Sequence, residues 1–229
     1  NAEVNLKELT EKERGLEEKA FAVSKNLSLK RRELSKEVEN KICNELSELG
    51  MKNARFKVFF NDMPECYTQD ITRQGFDDVE FLFSANLGED LKPLSKTISG
   101  GEMSRFMLAM KNILADKDGV GTLVFDEVDS GISGVIGNAV AEKIAKLSKN
   151  FQVLCITHLP QVASMADSYI YVTKNSANNS TQTSVEKLNG ERILEQIAQL
   201  SGGNFNTEAS IAHARELKEN SEKFKKKNS

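Results

Sequence analysis

The chain has no tryptophan, only three prolines and three cysteines among its 229 residues, and no long apolar run. The cysteines are scattered and odd in number, which argues against a disulfide framework or a Cys-x-x-Cys metal site and favours reduced thiols in the cytoplasm. No segment is apolar over the length that a bilayer requires, so we expect no membrane association. The net charge of −3 excludes a uniformly basic surface that would bind nucleic acid without specificity.

The chain also lacks a phosphate-binding loop of the form Gly-x-x-x-x-Gly-Lys-Ser/Thr. In nucleotide-hydrolysing proteins, the backbone amides and the lysine of this loop hold the terminal phosphates. We therefore expect the chain alone to be inactive towards ATP. It begins Asn-Ala without methionine, and we expect it to be a segment of a longer protein.

The first fifty residues favour one long helix. Residues 3–50 have no proline and a single internal glycine, Gly15. Their apolar side chains recur every seven residues, as in a coiled coil. They are Leu9, Leu16 and Val23, with Ala20, Leu27 and Leu34 interleaved. We predict a coiled-coil arm stub over residues 1–50, closed by Gly50; a single amphipathic surface helix is the alternative.

Residues 51–229 predict an α/β body. Two strand patterns come first, and an alternation of strands and helices follows Pro93. Two strands, Thr122–Asp126 and Phe151–Thr157, are almost continuously apolar, which is typical of strands covered on both faces. The other predicted strands are 55–60, 77–85, 168–173 and 184–188, and the predicted helices are 99–115, 133–147, 191–200 and 207–220, with a short helix after Pro160.

The first motif with chemical meaning is Ser99-Gly100-Gly101-Glu102, at the start of a predicted helix. Ser-x-x-Glu is a capping box, in which each side chain satisfies a free amide of the first turn. The two glycines would also let a phosphate approach the exposed amides at the positive end of the helix dipole. Seen alone, the motif favours a plain cap, but the strand that follows it changes this interpretation.

That strand ends in the carboxylate pair Asp126-Glu127. Ligands of open α/β sheets bind at the carboxyl ends of the strands. An aspartate there can hold Mg²⁺, and an adjacent glutamate can orient or deprotonate the water that attacks a phosphate. Ser130 and Gly131 follow in a predicted tight turn. Without the neighbouring motif, the pair could equally be a strand that ends in an acidic loop.

His158 follows directly after the second apolar strand. A histidine at a strand end can form a hydrogen bond with a terminal phosphate or with an attacking water, although such a histidine is more often structural. The order and spacing of the three motifs on one sheet edge predict a nucleotide site.

Three segments carry a family resemblance, namely 86–105, 125–134 and 152–167. They resemble the C-terminal half of the bacterial RecN family, SMC-like ABC ATPases of DNA double-strand-break repair. The resemblance implies a partial ABC/SMC-type head, that is, a P-loop NTPase-like sheet with flanking helices, and an N-terminal coiled-coil helix. It assigns Ser99, Gly100, Gly101 and Glu102 to the signature motif, Asp126 to Mg²⁺, Glu127 to the catalytic base, Ser130 and Gly131 to the D-loop, and His158 to the switch histidine.

The resemblance further implies that the parent protein is an Mg²⁺-dependent ATPase. Its partners would be the N-terminal half of the same protein with the phosphate loop, a second head domain in a homodimer, and DNA, at the bacterial nucleoid. In such a dimer the signature motif serves the nucleotide of the opposite head, so one chain would contribute to two ATP sites. The alternatives are another SMC-like or RecF-like head fragment, or a non-catalytic module that dimerises through its heptads.

Overall fold

The computed structural model describes residues 2–67, 71–94, 100–114, 119–177, 180–202 and 207–228. The predicted mixed helix–strand architecture with a long N-terminal helix is confirmed. In chain order the elements are α1 (Ala2–Glu48), β1 (Arg55–Phe60), β2 (Val79–Ser84), β3 (Lys92–Pro93), α2 (Gly100–Leu114), β4 (Thr122–Phe125), α3 (Gly134–Leu147), β5 (Gln152–Cys155), α4 (Pro160–Ser164), β6 (Tyr169–Ala177), β7 (Ser180–Leu188), α5 (Glu191–Leu200) and α6 (Glu208–Lys227). The chain divides into two compact units, residues 1–45 with 53–98 and residues 46–52 with 99–229.

The helix α1 ends where the sequence predicts. Gly50 adopts a φ of 87°, and the amide of Met51 donates to the carbonyl of Leu46 at 2.9 Å. This left-handed residue satisfies a carbonyl of the last turn and terminates the helix. The N-terminal half of α1 exposes Leu6, Leu9 and Leu16, each by more than half of its surface.

The first unit contains an antiparallel sheet in the order β1-β2-β3. Polar contacts join α1 to this unit. Arg31 and Ser28 donate to the buried carboxylate of Asp77, at 2.9 and 2.6 Å, and Glu39 accepts from Lys57 and from the amide of Val58. These contacts explain why the polar residues Ser28 and Glu39 are buried on α1.

The second unit contains the parallel pair β4–β5, in which Val124 lies opposite Leu154. The face with Leu123 and Phe125 is buried, whereas Val124, Leu154 and Ile156 are 47–65% exposed. Sequence analysis predicts strands covered on both faces, and among the described residues only one face is covered. The apolar residues of the other face are therefore left uncovered by the described part of the chain.

Helices α2 to α6 and the hairpin β6–β7 complete the second unit. The helices α4, α5 and α6 contact one another, and Ile197, Ala198 and Ala214 are fully or almost fully buried between them.

The predicted strands at 168–173 and 184–188 are confirmed but longer, because β6 and β7 continue as a hairpin to Ala177 and Ser180. Helix α6 extends seven residues beyond its predicted end. None of the described helices is both long and apolar enough to cross a membrane.

Candidate functional site

The carboxyl end of β4 carries the carboxylate pair that the sequence predicts. Asp126 and Glu127 follow Phe125 directly, and both are exposed. Glu127 has a φ of 57°, the left-handed region that a residue with a side chain rarely adopts. It is the only non-glycine residue with positive φ in the described part of the chain. A strained backbone at a predicted catalytic position is typical of a functional site.

The start of α2 lies against this turn. A Cβ atom at Gly100 would collide with the carboxylate of Glu127. At Gly101 it would lie 2.9 Å from Cβ of Ser130 and 3.2 Å from the carbonyl oxygen of Glu127. Gly101 is therefore required by the close approach of the chain's own turn, whereas at Gly100 the contacting atom is the end of the flexible, exposed Glu127 side chain, which can move aside. Ser99, and with it the predicted capping box, lies outside the described residues.

Two side chains of α2 hold the turn. The hydroxyl of Ser104 donates to the carbonyl oxygen of Asp126 at 2.5 Å, and the guanidinium of Arg105 donates to that of Ser130 at 2.8 Å. Arg105 is buried, and burial lowers the pKa of its guanidinium while Glu102 raises it. Its Nε has no hydrogen-bond partner among the described residues. Sequence analysis missed both residues, since their carbonyl partners lie on another element.

The turn itself contains the predicted D-loop residues. The amide of Ser130 donates to the carbonyl of Glu127 at 3.0 Å, and Gly131 has a φ of 72°. A glycine adopts this conformation without steric cost, which lets the chain reverse before α3 begins. Both residues are exposed, and they lie where a neighbouring molecule could contact them.

Between the exposed residues Glu127 and Ser130 lies a buried carboxylate, that of Asp129, to which the sequence assigned no role. Asp129 is 1% exposed and accepts hydrogen bonds from the hydroxyl of Thr157, from the amide of His158 at 2.9 Å and from the amide of Leu159 at 3.2 Å. Its other oxygen lies 3.4 Å from Nδ1 of His158. The predicted histidine is thus brought to the turn that follows Asp126 and Glu127. The feature of the sequence that indicates Asp129 is a third acidic residue directly before a turn.

The strand β5 carries a thiol, that of Cys155, close to the carboxylates of this site. Burial, with Asp129 and Asp126 nearby, raises the pKa of Cys155 to about 12. Its sulfur lies 3.8 Å from the carbonyl oxygen of Ile156. A thiol in this environment stays protonated and is a poor nucleophile.

The site is open to solvent. A cavity of about 170 Å³ lies elsewhere, lined by residues that include Lys146 of α3, Lys149 just after it and Phe224 of α6. No group of three or more metal-ligating side chains occurs among the described residues. Asp126 and Glu127 nevertheless suit Mg²⁺, which commonly takes one or two carboxylates and completes its shell with water and phosphate oxygens.

The chain is similar to bacterial proteins named DNA repair protein RecN. It is 45% identical to that of Treponema pallidum over 192 residues, 83% of this chain and 34% of that protein. It is 40% identical to that of Bacillus subtilis over 210 residues, 87% of this chain and 36% of that protein. For Rickettsia conorii the identity is 39% over 217 residues, 95% of this chain and 39% of that protein. The predicted resemblance to RecN is confirmed, and the chain spans little more than a third of these relatives.

Among solved structures, the chain is similar to an SMC head domain with a coiled coil and joint from Pyrococcus yayanosii. The TM-score is 0.49 and the identity 19%, over 72% of this chain and 29% of that chain. An SMC head domain from Pyrococcus furiosus gives a TM-score of 0.43 and 17% identity, over 81% of this chain and 52% of that chain. No family model matches the chain.

Proposed function

Because this chain is homologous to about a third of the DNA repair protein RecN, we propose that it forms part of the ATP-hydrolysing head of a RecN-like protein in DNA double-strand-break repair and recombination. The observation that carries the proposal is the convergence of three motifs on one turn. The carboxylates after β4, the glycines that open α2 and His158 all lie at residues 126–131 or contact them.

Each residue has a role in the proposed reaction. Asp126 would hold Mg²⁺, which neutralises charge on the phosphates when bound. Glu127 would orient or deprotonate the attacking water, and His158 would form a hydrogen bond with the terminal phosphate or with the attacking water. Glu102 and the α2 start, including Ser99, would contact the nucleotide of a second head. Ser130 and Gly131 would lie at the interface between the heads.

The N-terminal part of the same protein is the first proposed partner. The exposed face of Val124, Leu154 and Ile156 would be covered by it. In the described structure each of β4 and β5 pairs with only one strand, so each has an open edge. A strand added along β5 would bring a phosphate-binding loop to the edge where Asp126 lies.

The exposed leucines of α1 support the proposal that residues 1–50 are one strand of a coiled-coil arm. Leu6, Leu9 and Leu16 form an apolar stripe without a partner in the described chain. The intact protein would bind DNA in the cytoplasm, at the nucleoid. The same stripe also favours the second candidate, a non-catalytic module that dimerises through its heptads. The RecN relatives favour a RecN-like over a RecF-like protein.

The test combines this chain with the N-terminal segment that carries the phosphate loop. Complex formation is followed by size-exclusion chromatography, and ATP turnover is measured with Mg²⁺. We expect turnover by the complex, its loss in Glu127→Gln and its retention in Asp167→Asn, a control at an exposed aspartate. A complex without turnover, or turnover by this chain alone, would contradict the proposal. Dimers that are abolished by Leu16→Gln and do not respond to ATP would favour the second candidate.

A further inference from the structure

One short segment of the chain donates three hydrogen bonds to the buried carboxylate of Asp129. Thr157, His158 and Leu159 are consecutive and follow β5, and each donates to Oδ2 of Asp129. Thr157 also accepts from the amide of Leu159 at 3.0 Å. A buried carboxylate is costly unless such donors surround it, so the carboxylate and the segment fix each other.

The contact extends from the backbone to the imidazole ring. Oδ1 of Asp129 lies 3.4 Å from Nδ1 of His158, whose side chain is otherwise 66% exposed. A ring with Nδ1 towards a carboxylate presents Nε2 on its opposite side. The partner of one ring nitrogen selects the tautomer and therefore the chemistry of the other.

The turn that carries Asp129 is itself anchored. On one side of Asp129, the carbonyl of Asp126 accepts from Ser104, and on the other the carbonyl of Ser130 accepts from Arg105. These two contacts fix the position of Asp129. Through Asp129, the segment with His158 is held relative to both β4 and the start of α2.

We propose that Asp129 is a positioning residue for His158. Its carboxylate fixes the backbone of residues 157–159 and accepts from Nδ1–H of the imidazole, so that Nε2 is presented as an acceptor towards the water that attacks the terminal phosphate. This role rests on the proposed function, since it assumes that His158 acts on a nucleotide. The contacts to Asp129 can be tested without any nucleotide.

The first experiment is NMR of this chain, which has only two histidines. The variant His213→Gln assigns the imidazole signals. In Asp129→Asn, the side chain loses its charge and one acceptor oxygen. We expect amide exchange at His158 and Leu159 to accelerate about tenfold or more, and the ¹⁵N shifts of His158 to show a lower fraction of the Nδ1–H tautomer. Asp167→Asn, an exposed aspartate paired with Lys225, is the matched control and should change neither.

A milder variant covers the case in which Asp129→Asn fails to fold. Thr157→Val removes one donor to the carboxylate, whereas Thr157→Ser keeps the hydroxyl. We expect faster exchange at both amides in the valine variant and the parent values in the serine variant. Unchanged exchange and an unchanged tautomer in folded Asp129→Asn, or in Thr157→Val if the former is unfolded, would overturn the proposal.

The second experiment uses the complex with the N-terminal segment. We expect Asp129→Asn to lower kcat for ATP about tenfold or more while KM changes by less than about threefold, because the group positions a residue and does not bind the substrate. If the parent complex has no turnover, the proposed function fails while the NMR test of Asp129 stands. If Glu127→Gln abolishes turnover and Asp129→Asn leaves kcat unchanged, the proposed function stands and the positioning role fails.

Discussion

Because Glu127 has a left-handed backbone conformation, we expect its replacement by glycine to raise the stability of the protein and to remove its activity. A residue with a side chain pays about 1–2 kcal/mol for this conformation. Replacing it with glycine removes that cost but adds about 0.5–1 kcal/mol of backbone entropy loss on folding. We therefore expect Glu127→Gly to raise the free energy of unfolding by about 0.5–1 kcal/mol and to abolish ATP turnover in the complex.

Two variants separate the backbone effect from the side chain. Glu127→Gln keeps the left-handed residue and should not gain stability. Asp126→Gly introduces glycine at the preceding exposed position, whose φ is not positive, and should lower stability by about 0.5–1 kcal/mol. Urea unfolding followed by circular dichroism measures all three variants against the parent. A loss of stability in Glu127→Gly comparable to that in Asp126→Gly would refute the strain argument.

Three further predictions concern the second unit. Burial raises the pKa of Cys155 to about 12, so near pH 8 this thiol should hold up to about a thousandfold less thiolate than an ordinary thiol. We therefore expect Cys155 to be alkylated far more slowly than the exposed Cys66. Equal alkylation rates by mass spectrometry would contradict the burial of Cys155. Ile197→Ala should lower the free energy of unfolding by about 2–5 kcal/mol, because Ile197 is 1% exposed, and a change below about 1 kcal/mol in urea would contradict its place in the core. The ion pair with Lys143 lowers the pKa of Glu48, so the stability that the pair contributes is present above the ordinary pKa of 4.5 and is lost as pH falls. Glu48→Gln should therefore lower the free energy of unfolding by about 0.5–1 kcal/mol at neutral pH and leave it unchanged in strong acid. A difference in unfolding free energy that does not depend on pH would contradict this.

The sequence predicts elements whose pattern is local. The strand Arg55–Phe60 and the helix Glu191–Leu200 have their predicted bounds, because apolar periodicity and nearby turn residues define both. Residues 126 and 127 were placed correctly at a strand end for the same reason.

Features that depend on distant contacts were not predictable in this way. The donors to Asp129 lie about thirty residues away in the chain, and no periodicity connects them. Arg105 is buried, whereas Met107, two residues further along α2, is more exposed. The burial of Arg105 depends on a turn that packs against α2. The apolar runs of β4 and β5 predict strands covered on both faces, but the described residues cover one face only, because a sequence pattern does not say what covers an apolar residue.

The open edge of β5 has a consequence for the handling of the purified chain. Among the described residues no strand pairs with the outer edge of β5, and such an edge beside the exposed Leu154 and Ile156 is a template on which another copy can add a strand. Such self-association grows with protein concentration and competes with the proposed N-terminal segment for the same edge. If the proposed segment pairs with β5, it should therefore suppress aggregation when the two are produced together.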